Sequence, residues 1–164
     1  MSDSGLKQLW HRLSQNLIQD KLVQTTTNNL RNNLNVDRVV LYYFYSQWEG
    51  RVTFESISEA QYSIFGSTGP DDCFNDEYAA MYEAGRVSAV KNVQQADIAP
   101  CHRDFLQQLQ VKANLVVPIL NSKGLWGLLI AHQCHSDRFW SEEDIKIMQK
   151  AAVTLAEATS IQDS

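Results

Sequence analysis

In this 164-residue chain, an adjacent thiol and imidazole are the side chains best suited to chemistry. Cys101 and His102 follow Pro100 and precede the charged residues Arg103 and Asp104. This polar neighbourhood predicts an accessible cysteine, and a neighbouring base or cation favours the thiolate, which is the nucleophilic form. We therefore interpret Cys101 as a reactive residue rather than as an inert part of the core.

A second imidazole, His132, closes a pair of apolar runs further along the chain. Residues 110–120 have the length of a strand, the turn residues 121–124 follow, and residues 125–132 form the second run. This pattern predicts a β-hairpin. A thiol beside an imidazole, followed by a hairpin that carries another imidazole, indicates a site that holds a ligand.

The second cysteine of interest lies in a segment without periodicity. Residues 58–75 contain Gly66, Gly69 and Pro70 and are predicted to form a long loop. Long loops in small domains are usually functional or disordered, and this one carries Asp71, Asp72, Cys73 and Phe74. Taken alone, Asp71 is a turn acid, His132 a structural histidine, and Cys134 a buried core residue.

The remaining elements position these residues. Helices are predicted over 6–33, from Asn75 or Asp76 through Tyr82, from Cys101 through Leu109, and from the capping residue Ser141 onward. Strands are predicted over 36–45, 51–57 and 88–90. This order predicts an α+β fold with a mostly antiparallel sheet between helical layers and with the terminal helices packed together. We assign residues 1–19 to a linker helix and 20–164 to one domain.

The first helix allows two interpretations. Its early apolar stripe either faces a partner helix or packs within the domain, and weak single-sequence helix geometry leaves both open. The stripe consists of Leu6, Leu9, Trp10, Leu13 and Leu17. The first alternative predicts a homodimer through the terminal helices.

Composition excludes several classes of protein. A net charge of −5 without a cluster of lysine and arginine argues against nucleic acid or an anionic membrane as partner. No apolar run is long enough to span a membrane, and residues 1–5 do not resemble a signal peptide. Three cysteines, an odd number, predict free thiols in a reducing compartment, which is the cytoplasm.

Four motifs in order resemble the bilin-binding GAF domain of the cyanobacteriochromes, over about residues 20 to 160. They are Asp71-Asp72-Cys73-Phe74, Cys101-His102 with residues 111–118, residues 125–133, and Arg138-Phe139-Trp140. The first motif matches the Asp-Xaa-Cys-Phe branch, which uses two cysteines. The resemblance implies a GAF fold and a covalently bound linear tetrapyrrole, either phycocyanobilin or its isomer phycoviolobilin.

The resemblance also implies a role for each matching residue. Cys101 would form the thioether to ring A, and Cys73 would add reversibly to the central methine bridge. His102 would lie against the pyrrole plane, His132 would lie near ring D, and Phe74 would pack on the rings. Tyr82 would line the pocket, and Asn114 would lie on the strand that faces the bilin. Asp71 would accept hydrogen bonds from pyrrole N–H groups, and Arg86 and Arg103 would hold the propionates.

The function implied is a photoreceptor domain rather than an enzyme, apart from autocatalytic attachment and isomerisation of the bilin. A dark state absorbing blue or violet light would convert to a longer-wavelength state, and an output domain of kinase, cyclase or chemotaxis type would follow in the parent chain. The alternatives are a GAF domain that senses a small ligand such as a cyclic nucleotide, and a thiol or metal redox sensor. A thiol hydrolase is a poorer match, because adjacent side chains seldom orient as nucleophile and base.

Overall fold

The computed structural model describes residues 3–69 and 76–164, which form one five-stranded sheet with helices on both faces. The strands are β1 (Arg38–Ser46), β2 (Glu49–Ile57), β3 (Ser88–Val90), β4 (Ala113–Asn121) and β5 (Gly124–Gln133). The helices are α1 (Asp3–Gln19), α2 (Lys21–Leu34), α3 (Asp76–Glu83), α4 (Pro100–Gln108), α5 (Glu142–Ala156) and α6 (Thr159–Gln162), with a 3₁₀ helix at Ala60–Tyr62.

The sheet has the order β2-β1-β5-β4-β3, and every neighbouring pair of strands is antiparallel. The predicted α+β fold with an antiparallel sheet between helical layers is therefore confirmed. Side chains alternate between the two faces of each strand, as the pleat requires. On β5, Leu129 and Ala131 belong to the main core, whereas Leu128 packs in a second apolar cluster on the opposite face.

The main core lies between the sheet and the helices α1, α2 and α5. Its fully buried members include Leu17, Val39, Leu115, Leu129, Met148 and Leu155. Helix α5 begins where the sequence predicts, because Ser141 and Asp144 form a reciprocal capping box.

The terminal helices are packed together, as predicted, and Asp20 links them. The Asp20 side chain accepts a hydrogen bond from the Leu22 backbone N–H at 3.1 Å, which caps α2. The carboxylate also accepts from the Ser160 backbone N–H at 3.1 Å and from the Ser160 hydroxyl at 2.6 Å. Burial raises the pKa of Asp20, but these hydrogen bonds outweigh it, so the pKa lies below its ordinary value.

Two residues of the early apolar stripe of α1, Leu13 and Leu17, pack within the domain. The alternative that the stripe faces a partner helix is therefore wrong for these two residues. Both side chains are buried in the main core because α1 lies against β2. The Trp10 indole N–H donates to the Val52 carbonyl at 3.3 Å. The exposed apolar residues of this region are instead Ile18 (51% exposed) and Leu22 (40%).

The described part of the 58–75 loop is held against β2. The Val52 N–H donates to the Ser67 carbonyl at 2.9 Å, and the Gly66 N–H donates to the Val52 carbonyl at 3.1 Å. The Gly69 N–H donates to the Tyr42 hydroxyl at 2.6 Å. A Cβ atom at Gly69 would lie 2.1 Å from that hydroxyl oxygen, so this close approach requires glycine. These contacts fix where the chain enters residues 70–75.

Candidate ligand-binding site

A cleft of about 230 Å³ lies on the face of the sheet opposite the main core. Its floor is formed by β1, β4 and β5, and its walls come from α3, α4 and the loops beside them. The lining includes Val40, Tyr42, Trp48, Gly69, Tyr78, Tyr82, Arg86, Asp97, His102, Asn114, Val116, Leu128, Ile130 and His132. A largely apolar concavity with a few polar groups is the usual form of a small-molecule site.

The floor follows from strand periodicity. Val40 and Tyr42 on β1, Val116 on β4, and Leu128 on β5 form one apolar cluster with Tyr82 of α3. Their neighbours in sequence point to the opposite face and belong to the main core. The same alternation places Asn114 and His132 on the cleft side of β4 and β5.

His132 is held by a buried arginine on the adjacent strand. Arg38 pairs with His132 in the β1–β5 register, and its Nε–H donates to His132 Nδ1 at 3.1 Å. His132 is 2% exposed and Arg38 is 1% exposed. Burial, followed by the charges of Arg38 and His102, sets the pKa of His132 well below its ordinary value. His132 is therefore the neutral imidazole at neutral pH.

Acid should destabilise the apoprotein through His132. The pKa of His132 is lower in the folded state than in the unfolded state, where it is 6.5. The contribution of the neutral His132 to the free energy of unfolding is therefore fully present above pH 6.5 and is lost as the pH falls below that value. Between pH 7 and 5.5, His132 accounts for a loss of about 1 kcal/mol in the free energy of unfolding. Urea titrations at each pH measure this loss, and His132→Gln, which cannot be protonated, should remove it.

The matched control for this pH dependence is His11→Gln, because His11 is exposed on α1. This control should keep the wild-type loss of stability between pH 7 and 5.5. Equal pH dependence in wild type and His132→Gln would contradict the buried neutral histidine.

Cys101 and His102 lie in the first turn of α4, at the wall of the cleft. The helix starts at Pro100, which is suited to this position because its missing N–H would have no partner there. Cys101 is exposed, whereas His102 is half-buried and lines the cleft. Burial and then the charge of Arg86 lower the pKa of His102, so this imidazole is also neutral at neutral pH.

The two cysteines in the described part of the chain differ in redox state. Cys134 is a free, buried thiol, which confirms the prediction that it lies in the core. Cys101 is disulfide-bonded in the structure, so the prediction of free thiols is wrong for this residue. Nucleophilic chemistry at Cys101 requires the sulfur to be reduced to the thiol first.

Arg86 is the cation of the cleft wall. Its guanidinium carbon lies 5.2 Å from the ring centroid of Tyr78 and 5.4 Å from that of Tyr82, which places it over two aromatic faces. No carboxylate pairs with Arg86 among residues 3–69 and 76–164. Burial raises the pKa of Tyr82, although Arg86 opposes the shift, so this phenol keeps its proton. The wall therefore offers a cation to an anionic ligand.

Asn114 carries an acceptor without a partner. Its side chain is 1% exposed, and Oδ1 makes no hydrogen bond within the described part of the chain. Asn114 pairs with His132 in the β4–β5 register, and both residues line the cleft. A buried polar atom without a partner is costly and requires an explanation.

The structure thus brings together five of the predicted site residues, His102, His132, Tyr82, Arg86 and Asn114, and places Cys101 at the edge of this group. It does not bring Arg103 to the cleft. The Arg103 Nε–H donates to the Val93 carbonyl at 3.2 Å, and its Nη2 donates to the Ala96 carbonyl, so this side chain holds the loop before α4. Asp71, Cys73 and Phe74 lie outside the described residues.

Sequence reasoning missed three residues of the site. Arg38 stands in a run of β-branched and aromatic residues that predicts only a strand, and no local signal marks its contact with His132. Trp48 and Asp97 line the cleft from loops. Trp48 donates from its indole N–H to Asp76 Oδ1 at 2.7 Å, which joins the β1–β2 turn to the start of α3.

Within residues 3–69 and 76–164, no three side chains of histidine, cysteine, aspartate or glutamate converge in a way that could hold a metal ion. The same residues contain no helix with the length and apolar character of a membrane span.

The comparisons with known proteins agree on the family. The GAF domain model matches residues 19–158. An uncharacterized protein of Picosynechococcus sp. PCC 7002 is 43% identical over 99% of this chain and 100% of its own length. A putative methyl-accepting chemotaxis protein of Synechocystis sp. PCC 6803 is 35% identical over 96% of this chain. The match covers only 16% of the length of that relative.

Among solved structures, the cyanobacteriochrome receptor PixJ has the same fold. The blue-light-absorbing form of the Thermosynechococcus elongatus PixJ GAF domain is 32% identical, with a TM-score of 0.78 over 87% of this chain and 83% of that chain. The match of the GAF model to most of the chain, together with this structural similarity, shows that the protein belongs to the GAF domain family.

Proposed function

We propose that this domain is a photoreceptor of the cyanobacteriochrome type, which binds a linear tetrapyrrole covalently at Cys101. The observation that carries the proposal is the cleft on the sheet, whose apolar floor, aromatic wall and cationic Arg86 lie beside Cys101 and His102. A bilin has these complementary features, because it combines flat apolar rings with two propionates and polar pyrrole groups. The similarity to PixJ supports the same ligand class.

The residues of the cleft divide the work of binding. Arg86 pairs with a propionate, since a guanidinium matches carboxylate geometry and has no carboxylate partner among the described residues. His102 and Tyr82 pack on the rings, and His132 lies near ring D. The Cys101 thiol adds its sulfur and its hydrogen across a carbon–carbon double bond of the ring A substituent, a step without a leaving group. Asp71 and Phe74 complete the site in this proposal, whereas Arg103 is committed to its loop.

The finer part of the proposal concerns colour. The domain belongs to the two-cysteine branch, Cys73 forms a second, reversible thioether, and the bilin is phycocyanobilin or phycoviolobilin. The dark state then absorbs blue or violet light, as the blue-light-absorbing form of a similar PixJ domain does.

The proposal also places the domain in a signalling protein. The similar chemotaxis protein and circadian histidine kinases are much longer than this chain. The chain spans 16% of the chemotaxis protein and 24% of one of the kinases. We infer that residues 20–164 sense light in the cytoplasm and that residues 1–19 connect the domain to other parts of such a protein. Pairing of two copies would involve exposed positions such as Ile18 and Val153 rather than Leu13 and Leu17.

Coexpression with the enzymes that make phycocyanobilin tests the proposal. We expect the denatured protein to give a zinc-dependent fluorescent band on a gel, because a covalent bilin survives denaturation. We also expect the native protein to change its absorption spectrum on illumination. A dark band and a colourless protein would overturn the proposal and favour a GAF domain that senses a small ligand such as a cyclic nucleotide.

A further inference from the structure

The helix α1 and the cleft lie on opposite faces of the sheet, yet both reach the edge strand β2. Residues 65–69, which we call the stem, run along this edge and contact both. We propose that the stem couples the ligand in the cleft to α1, and that Trp10 is the residue of α1 that responds. This inference rests on the proposed function, because it takes the ligand to be a bilin whose shape changes on illumination.

The outer end of the stem lies against Trp10. The ring centroids of Trp10 and Phe65 are 5.2 Å apart, and the Arg51 guanidinium carbon of β2 lies 5.1 Å from the Trp10 centroid. A Cβ atom at Gly66 would lie 3.6 Å from the Trp10 ring, which is van der Waals distance. Trp10 is therefore packed between β2 and the stem, although it does not line the cleft.

Trp10 and the stem also share one hydrogen-bond acceptor, the Val52 carbonyl of β2. The Trp10 indole N–H donates to this oxygen at 3.3 Å, and the Gly66 N–H donates to it at 3.1 Å. A carbonyl oxygen has two lone pairs, so it can accept from both donors. Gly66 has a φ of +84°, a conformation that favours glycine and that turns the chain at this point. A shift of the stem at Gly66 therefore changes the surroundings of the Trp10 indole directly.

The inner end of the stem lies at the cleft. The Gly69 N–H donates to the Tyr42 hydroxyl at 2.6 Å, and both residues line the cleft. Between the two ends, the Val52 N–H donates to the Ser67 carbonyl at 2.9 Å, and Thr68 forms a β-bridge with the same strand. Because the stem is paired with β2 in this way, a ligand that displaces Gly69 moves the stem as one piece.

A ligand can shift an element only if its contacts differ between the two positions of that element. The stem meets this condition, because Tyr42 and Gly69 hold its inner end and also line the cleft. No described residue of α1 lines the cleft, so a response of Trp10 must pass through β2 or the stem. The strand β2 is paired with β1 along its length. The stem is therefore the part of this edge that can move.

Fluorine NMR of the protein labelled with fluorotryptophan tests the coupling, because the chain has only four tryptophans. Substitution of each tryptophan by phenylalanine assigns its signal. We expect the Trp10 signal to shift between the dark and illuminated forms of the protein loaded with phycocyanobilin. The Trp126 signal is the control and should stay in place, because this side chain lies in the main core and donates to Ser164 Oγ at 2.7 Å. An unmoved Trp10 signal would overturn the coupling.

The same signal tests the coupling in the apoprotein. Tyr42→Phe removes the hydroxyl that holds Gly69, so it should shift the Trp10 signal in the absence of any ligand. Tyr43→Phe is the matched control, because Tyr43 packs on the opposite face, with its ring centroid 5.1 Å from that of Trp126. It should leave the Trp10 signal in place. Equal Trp10 signals in wild type and Tyr42→Phe would contradict the coupling, and if Tyr42→Phe does not fold, the comparison of dark and illuminated wild type decides.

Trp10→Phe tests the role of the indole, because it keeps an aromatic ring against the stem and removes the N–H. In loaded wild type, hydrogen exchange of the backbone amides of residues 7–12 should differ about fivefold between the dark and illuminated forms, which is the effect of one hydrogen bond. Trp10→Phe should lose this difference. Trp126→Phe also removes one indole hydrogen bond, but within the main core, so it should keep the difference. A merely structural role of Trp10 predicts faster exchange in Trp10→Phe with the difference retained, which would overturn the proposal.

The outcomes separate this inference from the proposed function. If wild type loads phycocyanobilin and photoconverts while the Trp10 signal stays in place, the coupling is wrong and the photoreceptor proposal stands. If wild type takes up no phycocyanobilin, the photoreceptor proposal fails. A Trp10 signal that shifts in the Tyr42→Phe apoprotein then still supports the coupling of the cleft to α1, and one that does not shift overturns it.

Discussion

Cys101→Ala is expected to abolish the covalent bilin adduct that survives denaturation in acid. The thioether needs a thiol at the edge of the cleft, and Cys101 is exposed in the first turn of α4, next to the cleft residue His102. The chemistry also needs the sulfur reduced, because Cys101 is disulfide-bonded in the structure. Apoprotein mixed with phycocyanobilin should therefore attach it only after treatment with a reductant. Zinc-dependent fluorescence of the denatured protein measures attachment in both experiments.

Cys134→Ala is the control for this loss. Cys134 is free but 7% exposed, and it does not line the cleft. Burial raises the pKa of its thiol, although Arg38 opposes the shift, so little thiolate is present at neutral pH. This variant should carry as much bilin as wild type. An acid-stable adduct of wild-type yield in Cys101→Ala would show that the anchor is another residue.

The sheet could be predicted from the sequence because strand periodicity is a local signal. Alternation along residues 128–132 separates the cleft side from the core side, and the structure keeps this separation. The capping residues of α5 are equally local. The direction of the stripe on α1 could not be predicted, because it depends on the end of the helix at Gln19 and on the packing of α1 against β2.

The cleft could be predicted only in part, because some of its contacts join residues that are distant in the sequence. Arg38 and His132 are 94 residues apart, and only the pairing of β1 with β5 brings them together. The resemblance to the cyanobacteriochromes implies that Arg103 holds a propionate of the ligand. On a helix, however, successive side chains point about 100° apart, and Arg103 reaches the preceding loop instead.

A second thioether would change the colour of the bilin. A bilin absorbs at long wavelength because conjugation runs through all its bridges. A thiolate that adds to the central bridge makes that carbon tetrahedral and divides the conjugated system into two short halves. Absorption must then move strongly to the blue. Isomerisation of the double bond near ring D would move the rings relative to the second thiol and break this bond, which restores the long-wavelength absorption.

The described structure supports a thiol that acts at the cleft from the 70–75 segment. Gly69, which precedes the segment, donates a hydrogen bond from its backbone N–H to the hydroxyl of the cleft residue Tyr42. Asp76, which follows it, accepts a hydrogen bond from the cleft residue Trp48. The chain therefore enters and leaves this segment at the cleft, and Cys73 is its only cysteine.

Cys73→Ala is expected to keep the Cys101 adduct and to lose the state that absorbs blue or violet light. The dark state should then absorb at long wavelength, and illumination should cause only the smaller spectral change of double-bond isomerisation. Absorption spectra before and after illumination measure the effect. Asp72→Asn is the matched variant in the same segment. This substitution removes a negative charge beside Cys73. Because the loss of this charge favours the thiolate of Cys73, the blue state should form more completely than in wild type. A blue dark state that persists in Cys73→Ala would overturn the two-thiol mechanism, and Cys134→Ala in the same background would then show whether the remaining free thiol replaces Cys73.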